Sequence, residues 1–102
     1  MNIIDNSIFG ILTMTGNYEE RLVDNTKRGD FEVDTVYVTD RAWDYETAVR
    51  HKKFNDNNWI VVEGVNDIEK AYDIHKKWVT IMENNPNKIH DCYIDVDFKE
   101  QQ

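Results

Sequence analysis

The chain has 102 residues, 40 % of them apolar, with three Trp, five Tyr and four Phe, and a net charge of −8. That is room for one domain with a real core, and it excludes a disordered chain. The acidic balance argues against a nucleic-acid binder and against docking on an anionic membrane, since both need a Lys/Arg surplus on one face. Cys92 is the only cysteine, so no disulfide framework is expected and a reducing cytosol is. The start, MNIIDNSIFGILTM, lacks a basic region and is interrupted by Asp5, so it reads as neither signal peptide nor membrane span.

Residues 8–14 (IFGILTM) are a short apolar run that suits a strand buried on both faces. Residues 18–27 alternate loosely, and KRGD at 27–30 carries turn residues. Residues 31–39 alternate well, with Phe31, Val33, Thr35 and Tyr37 on one face and Glu32, Asp34, Val36 and Val38 on the other, so 18–39 reads as a β-hairpin. A second hairpin follows. Tyr45, Thr47, Val49 and His51 share one face of its first strand; Glu46, Ala48 and Arg50 share the other. Its turn is NDNN at 55–58, since Asn and Asp tolerate left-handed backbone. WIVVEGV at 59–65 is apolar on both faces apart from Glu63, which predicts a central strand.

A helix comes next. Asn66 is placed to cap it, with Glu69 completing a capping box. Ile68, Ala71, Tyr72, His75, Val79 and Met82 follow helical spacing, and Ile74, Trp78 and Ile81 widen the apolar arc beyond the usual stripe. Asn84, Asn85 and Pro86 end it, and KIHDCYIDVDF forms an extended tail. The sum is an α+β fold in a single domain over 1–102: an antiparallel sheet of about five strands, one main packed helix and a short extended C-terminal tail. The second flank of the wide arc is covered either by the tail or by another subunit. A chain this short favours the latter, a homo-oligomer.

No catalytic constellation can be read. There is no P-loop and no GxGxxG. Ser7 stands in no nucleophile elbow, and His90 and Cys92, two apart on one strand, stand side by side rather than end to end. His51, His75, His90 and Cys92 lack the clustering of a metal site, and His75 on the apolar helix face reads as a hydrogen-bonded core imidazole. No enzyme, metal or cofactor is expected. Arg21, Arg28, Arg41 and Arg50 carry more information. All fall in or near strands and turns, where Arg supplies bidentate donors to phosphate. Trp43, Tyr45 or Trp59 can stack on a base, while His51 and Asn55, with Asn57 and Asn58, offer polar contacts. One face of the second hairpin is then packing and the other the edge of a small-molecule pocket. The bland alternative for Glu46 and Arg50 is a solvated ion pair of little worth.

The words YEERLV (18–23), DTVYVTDRAWDYETAVRH (34–51), FN (54–55), WIVVEG (59–64) and AYDIHKKWVTIM (71–82) resemble a family of small bacteriophage-encoded proteins. They look like the phage anti-Thoeris sponge proteins. The resemblance implies an oligomeric shell in the cytoplasm of the bacterial host that sequesters a nucleotide signal of the cyclic ADP-ribose type without cleaving it. Arg41, Trp43, Tyr45, Arg50, His51 and Asn55 are its candidate site residues, with Arg21 and Arg28 beside them. Two other roles fit the composition. One is an acidic inhibitor that covers a basic groove on a host nuclease or CRISPR effector through Glu19, Glu20, Asp34, Asp91, Asp95 and Asp97. The other is a virion or assembly component.

Overall fold

A computed structural model describes residues 18–101. The elements run α1 (Tyr18–Arg21), β1 (Leu22–Arg28), β2 (Phe31–Tyr37), β3 (Tyr45–His51), β4 (Ile60–Val65), α2 (Ile68–Glu83), β5 (Lys88–Asp91) and β6 (Val96–Lys99). Strands β1 to β4 form one antiparallel sheet in chain order, and β5 and β6 form a separate hairpin. This is the α+β arrangement expected. The apolar run at 8–14 lies outside the described residues. No helix among the described residues is long and apolar enough to cross a membrane.

Both hairpins of the sheet form where alternation and turn chemistry predict. Gly29 takes φ +53°, which glycine adopts at little cost, and with Asp30 it reverses the chain between β1 and β2. The register brings Val33 opposite Val49 and Val49 opposite Ile60. These three join Val62, Val79, Met82, Ile89 and Phe54 in the larger core cluster, beneath α2. The other face is also packed. Val36, Val38, Ala48, Trp59 and Val61 form a second cluster with Tyr18 and Trp43 against it. The expectation that one face of the second hairpin is open therefore needs correcting, because Glu46 and Ala48 on that face are fully buried.

Three further expectations are corrected. Residues 18–21 form a single helical turn before the strand begins. The helix cap is Asp67, whose carboxylate accepts from Glu69 N at 2.8 Å; Asn66 instead accepts from Asp44 N through Oδ1, tying the helix start to the loop before β3. Residues 60–65 form an edge strand, not a central one. Their apolarity on both faces has two causes: the sheet is packed on both sides, and the open edge is covered. Val61 N donates to Asp91 Oδ2 at 3.1 Å, and Cys92 N donates to Val61 O at 2.8 Å. The tail is thus a hairpin docked on the edge of β4, and its Ile89 and Phe98 pack with the cluster that holds Val79, Met82 and Trp78. The tail meets that flank of α2 through Ile89 and Phe98.

His75 is a buried, hydrogen-bonded imidazole, as its place on the apolar face predicts. Nδ1 is 2.8 Å from Thr35 Oγ1 and Nε2 is 2.9 Å from Thr26 Oγ1, and Thr35 also bonds Thr47. Burial pushes its pKa down, against the pull of Asp24. A depressed histidine contributes stability above its unfolded pKa that is lost as the pH falls. Asp34 acts in the opposite sense. It accepts from Tyr18 Oη and Asn25 Nδ2 through Oδ1, yet burial outweighs both bonds and raises its pKa to about 6. Its contribution is full below the unfolded pKa near 3.8 and is lost as the pH rises through 6.

Two outcomes follow. An added Cβ at Gly64 would lie 1.9 Å from Trp43 Cδ2, and a rigid indole cannot yield that distance in place. Gly64→Ala is expected to lower unfolding free energy by at least about 2 kcal/mol in urea melts, as Trp43 is driven off the strand. Asp34→Asn keeps the shape and removes the titration. Its stability relative to the parent chain should rise by on the order of 3 kcal/mol between pH 4 and pH 7, with His75 cancelling in the difference.

Candidate functional site

The sheet sorts its charges by end. At one end the register aligns Lys27, Glu32 and Arg50 across β1, β2 and β3, and in the next row Arg28, Phe31 and His51. Neighbouring rows point to opposite faces. Lys52 and Lys53 continue from β3. Five of the chain's twelve Lys and Arg residues thus gather at one end of an acidic molecule.

Three clefts open there, and all include Asp30. The first, about 120 Å³, lies among Lys27, Glu32, Arg50, Lys52 and Asn57. The second, about 140 Å³, lies among His51, Lys53, Phe54, Asn85, Pro86 and Glu100. The third, about 290 Å³, lies among Arg28, Phe31, His51, Met82, Glu83 and Asn85. Several cations are already fixed. Arg50 donates to Glu32 Oε1 through Nε at 3.0 Å and lies over the Trp59 ring, 4.8 Å from its centroid. Arg28 pairs with Glu83, and Lys52 pairs with Asp30 at 3.4 Å. His51 accepts from Lys53 N through Nδ1 and meets Phe54 edge-on.

The eight residues singled out from sequence do not converge on one pocket. Arg28, Arg50 and His51 line these clefts. Asn55 lies in the adjoining turn, from which Asn57 reaches the first cleft. Arg21, Arg41, Trp43 and Tyr45 belong to the opposite end of the sheet, where Leu22 pairs with Val36 and Tyr37 with Tyr45. Arg41 and Trp43 are structural there. Both donate to Glu46 Oε1, at 3.0 and 3.1 Å, and Arg41 also lies over the Tyr93 ring. Glu46 and Arg50 therefore do not pair with each other, and Glu46 sits in the core rather than on a solvated face. Tyr45 packs edge-on against Tyr37. Arg21 Nε and Nη1 are buried with no hydrogen-bond partner among the described residues, and burial lowers its pKa. Trp59 is only 5 % exposed beneath Arg50, so its ring is closed to a stacking base.

Lys27, Asp30, Phe31, Lys52 and Lys53 were not singled out. Apart from Phe31, their signal was present as two short runs, KRGD and HKK, which only the hairpin register brings together. Partial burial and the neighbouring Asp91 push the Cys92 thiol up to about 11, which leaves almost no thiolate at neutral pH. Among the described residues, no three His, Cys, Asp or Glu side chains converge on a metal-sized gap. The chain matches no protein-family model, no curated protein and no solved structure.

The two central arginines should respond differently to removal. The Arg41 side chain is 5 % exposed against a fully buried Glu46. Arg41→Met removes a buried counter-charge from that carboxylate and is expected to cost about 3–5 kcal/mol in denaturant melts. Arg50, one-third exposed, is expected to cost about 1 kcal/mol as Arg50→Ala, because its ion pair is screened and its ring contact is modest.

Proposed function

We propose that the protein is a non-catalytic binder of a phosphate-bearing small molecule, a nucleotide signal of the cyclic ADP-ribose type, which it sequesters in the host cytoplasm. The observation that carries this reading is the gathering of Lys27, Arg28, Arg50, Lys52 and Lys53 around clefts at one end of a chain whose net charge is −8. Lys27, Arg50 and Lys52 line the first cleft together, a grouping suited to holding a phosphate by charge-assisted hydrogen bonds, and Phe31 supplies an apolar wall there as Phe54 does in the second cleft. The high thiol pKa of Cys92 also favours binding over nucleophilic chemistry. The family resemblance of the YETAV and WIVVEG words points the same way.

Each cleft is smaller than the roughly 300–1,000 Å³ common for such ligands, so a second copy completing the site is part of the proposal. The acidic-mimic alternative loses ground because two of its six acids are occupied inside. Asp34 is buried against Tyr18 and Asn25, and Asp91 is buried against the β4 edge.

A panel of cyclic nucleotides and ADP-ribose isomers, read by thermal shift and native mass spectrometry, tests this. The expected result is a raised Tm with one class, since a ligand that binds only the native state stabilises it. The ligand should be recovered intact after denaturation, and its effect reduced in Arg50→Ala/Lys52→Ala. A panel that leaves Tm unchanged throughout overturns the reading.

A further inference from the structure

Asn55, Asp56 and Asn57 hold positive φ angles of 51°, 53° and 64° in succession. L-residues other than glycine enter this region singly, because Cβ crowds the following carbonyl oxygen. Asn and Asp lower that cost without abolishing it. A run of three persists only where its surroundings hold it, and such strain gathers at functional sites. Two local bonds close the turn: Asn57 N donates to Phe54 O and Asn58 N to Asn55 O, both at 2.9 Å.

The remaining hold comes from far away in sequence. Asp56 N donates to Gln101 Oε1 and Gln101 Nε2 donates to Asp56 Oδ1, each at 3.2 Å, and Gln101 N donates to Lys53 O at 2.7 Å. Glu100 adds an ion pair to Lys53 and a bond from its N–H to Asn87 O. The turn so held stands between two of the clefts. Asn57 walls the first, beside Arg50 and Lys52, and Lys53 and Phe54 wall the second. A return of Asp56 to right-handed backbone would move Asn57, which lines the first cleft with Lys27, Arg50 and Lys52.

We propose that Gln101 and Asp56 are positioning residues of the candidate binding site: a latch that keeps the left-handed turn in place and so sets the walls of the clefts without touching the ligand. This rests on the binding reading above. Gln101→Glu faces the Asp56 carboxylate with a second carboxylate and removes the amide donor. Asp56→Asn added to it restores a donor–acceptor pair in the reverse sense.

Hydrogen exchange of the amides of Asp56, Asn57 and Asn58, measured without ligand, is expected to quicken about tenfold in Gln101→Glu and to return to the parent rate in Asp56→Asn/Gln101→Glu. Affinity for ADP and inorganic pyrophosphate, by calorimetry, should fall and recover in step. Unchanged exchange in Gln101→Glu, or no recovery in the double variant, overturns the latch. Quickened exchange with unchanged affinity overturns its connection to the site. Failure of the parent chain to bind any nucleotide or pyrophosphate overturns the binding reading, which the exchange measurement alone does not touch.

Discussion

The Asp91 carboxylate joins the two halves of the fold. It is fully buried and accepts three backbone N–H bonds: Val61 on the sheet edge, and Tyr93 and Ile94 in its own turn. A buried carboxylate is tolerable only with such compensation, and here the donors come from both partners. One oxygen closes the edge of β4 while the other shapes the turn between β5 and β6. That places Ile89 and Phe98 in the core and brings Glu100 and Gln101 to the 53–57 segment. An unprotected edge strand invites pairing with other chains, and this contact occupies the edge of β4 at Val61, whose N–H and C=O are both taken. The candidate site thus depends at a distance on one acid that touches no cleft.

The two packed faces use different physics. Beneath α2 the core is apolar, aliphatic side chains mixed with Phe54, Phe31, Trp78 and Phe98, and one polar chain runs through Thr26, His75, Thr35 and Thr47. On the other face Glu46 is neutralised by Arg41 and bonded by Trp43, whose indole lies on Gly64. Buried ion pairs of this kind add little net stability over apolar packing, but losing one partner is costly. Arg41 and Trp43 are therefore committed to the fold.

Much of the architecture was legible because it is local. The alternation in β2 and β3 assigned every residue to its correct face, the Gly-Asp and Asn-rich turns fell where predicted, and His75 met hydroxyl partners as an apolar-face imidazole should. What could not be read involves contacts between segments distant in sequence. Asp91 covering Val61 makes an edge strand look central. Glu46 looks like a solvated residue until Arg41 and Trp43 close over it. Of the site, Arg28, Arg50 and His51 were visible as residue types; the row that joins Lys27, Glu32 and Arg50 exists only through the register of three strands.

In the proposed reading, the pairing of the cations decides how a ligand could be held. Arg28, Arg50 and Lys52 each have an acid already, in Glu83, Glu32 and Asp30. An arriving phosphate must share or displace those partners, so no single contact is worth much after exchange. Affinity then has to come from the cations of one cleft acting on one anion at once, as Lys27, Arg50 and Lys52 are placed to do in the first, which only a fixed geometry provides. Arg50 is suited to this, since Glu32 and the Trp59 ring orient its guanidinium before anything binds. Pairing of this kind reduces individual bond strength but limits the entropy lost on binding, because the side chains are already ordered. A net-acidic protein can thus present a local anion site: the screening length of about 8 Å at physiological salt leaves the distant carboxylates with little influence on it.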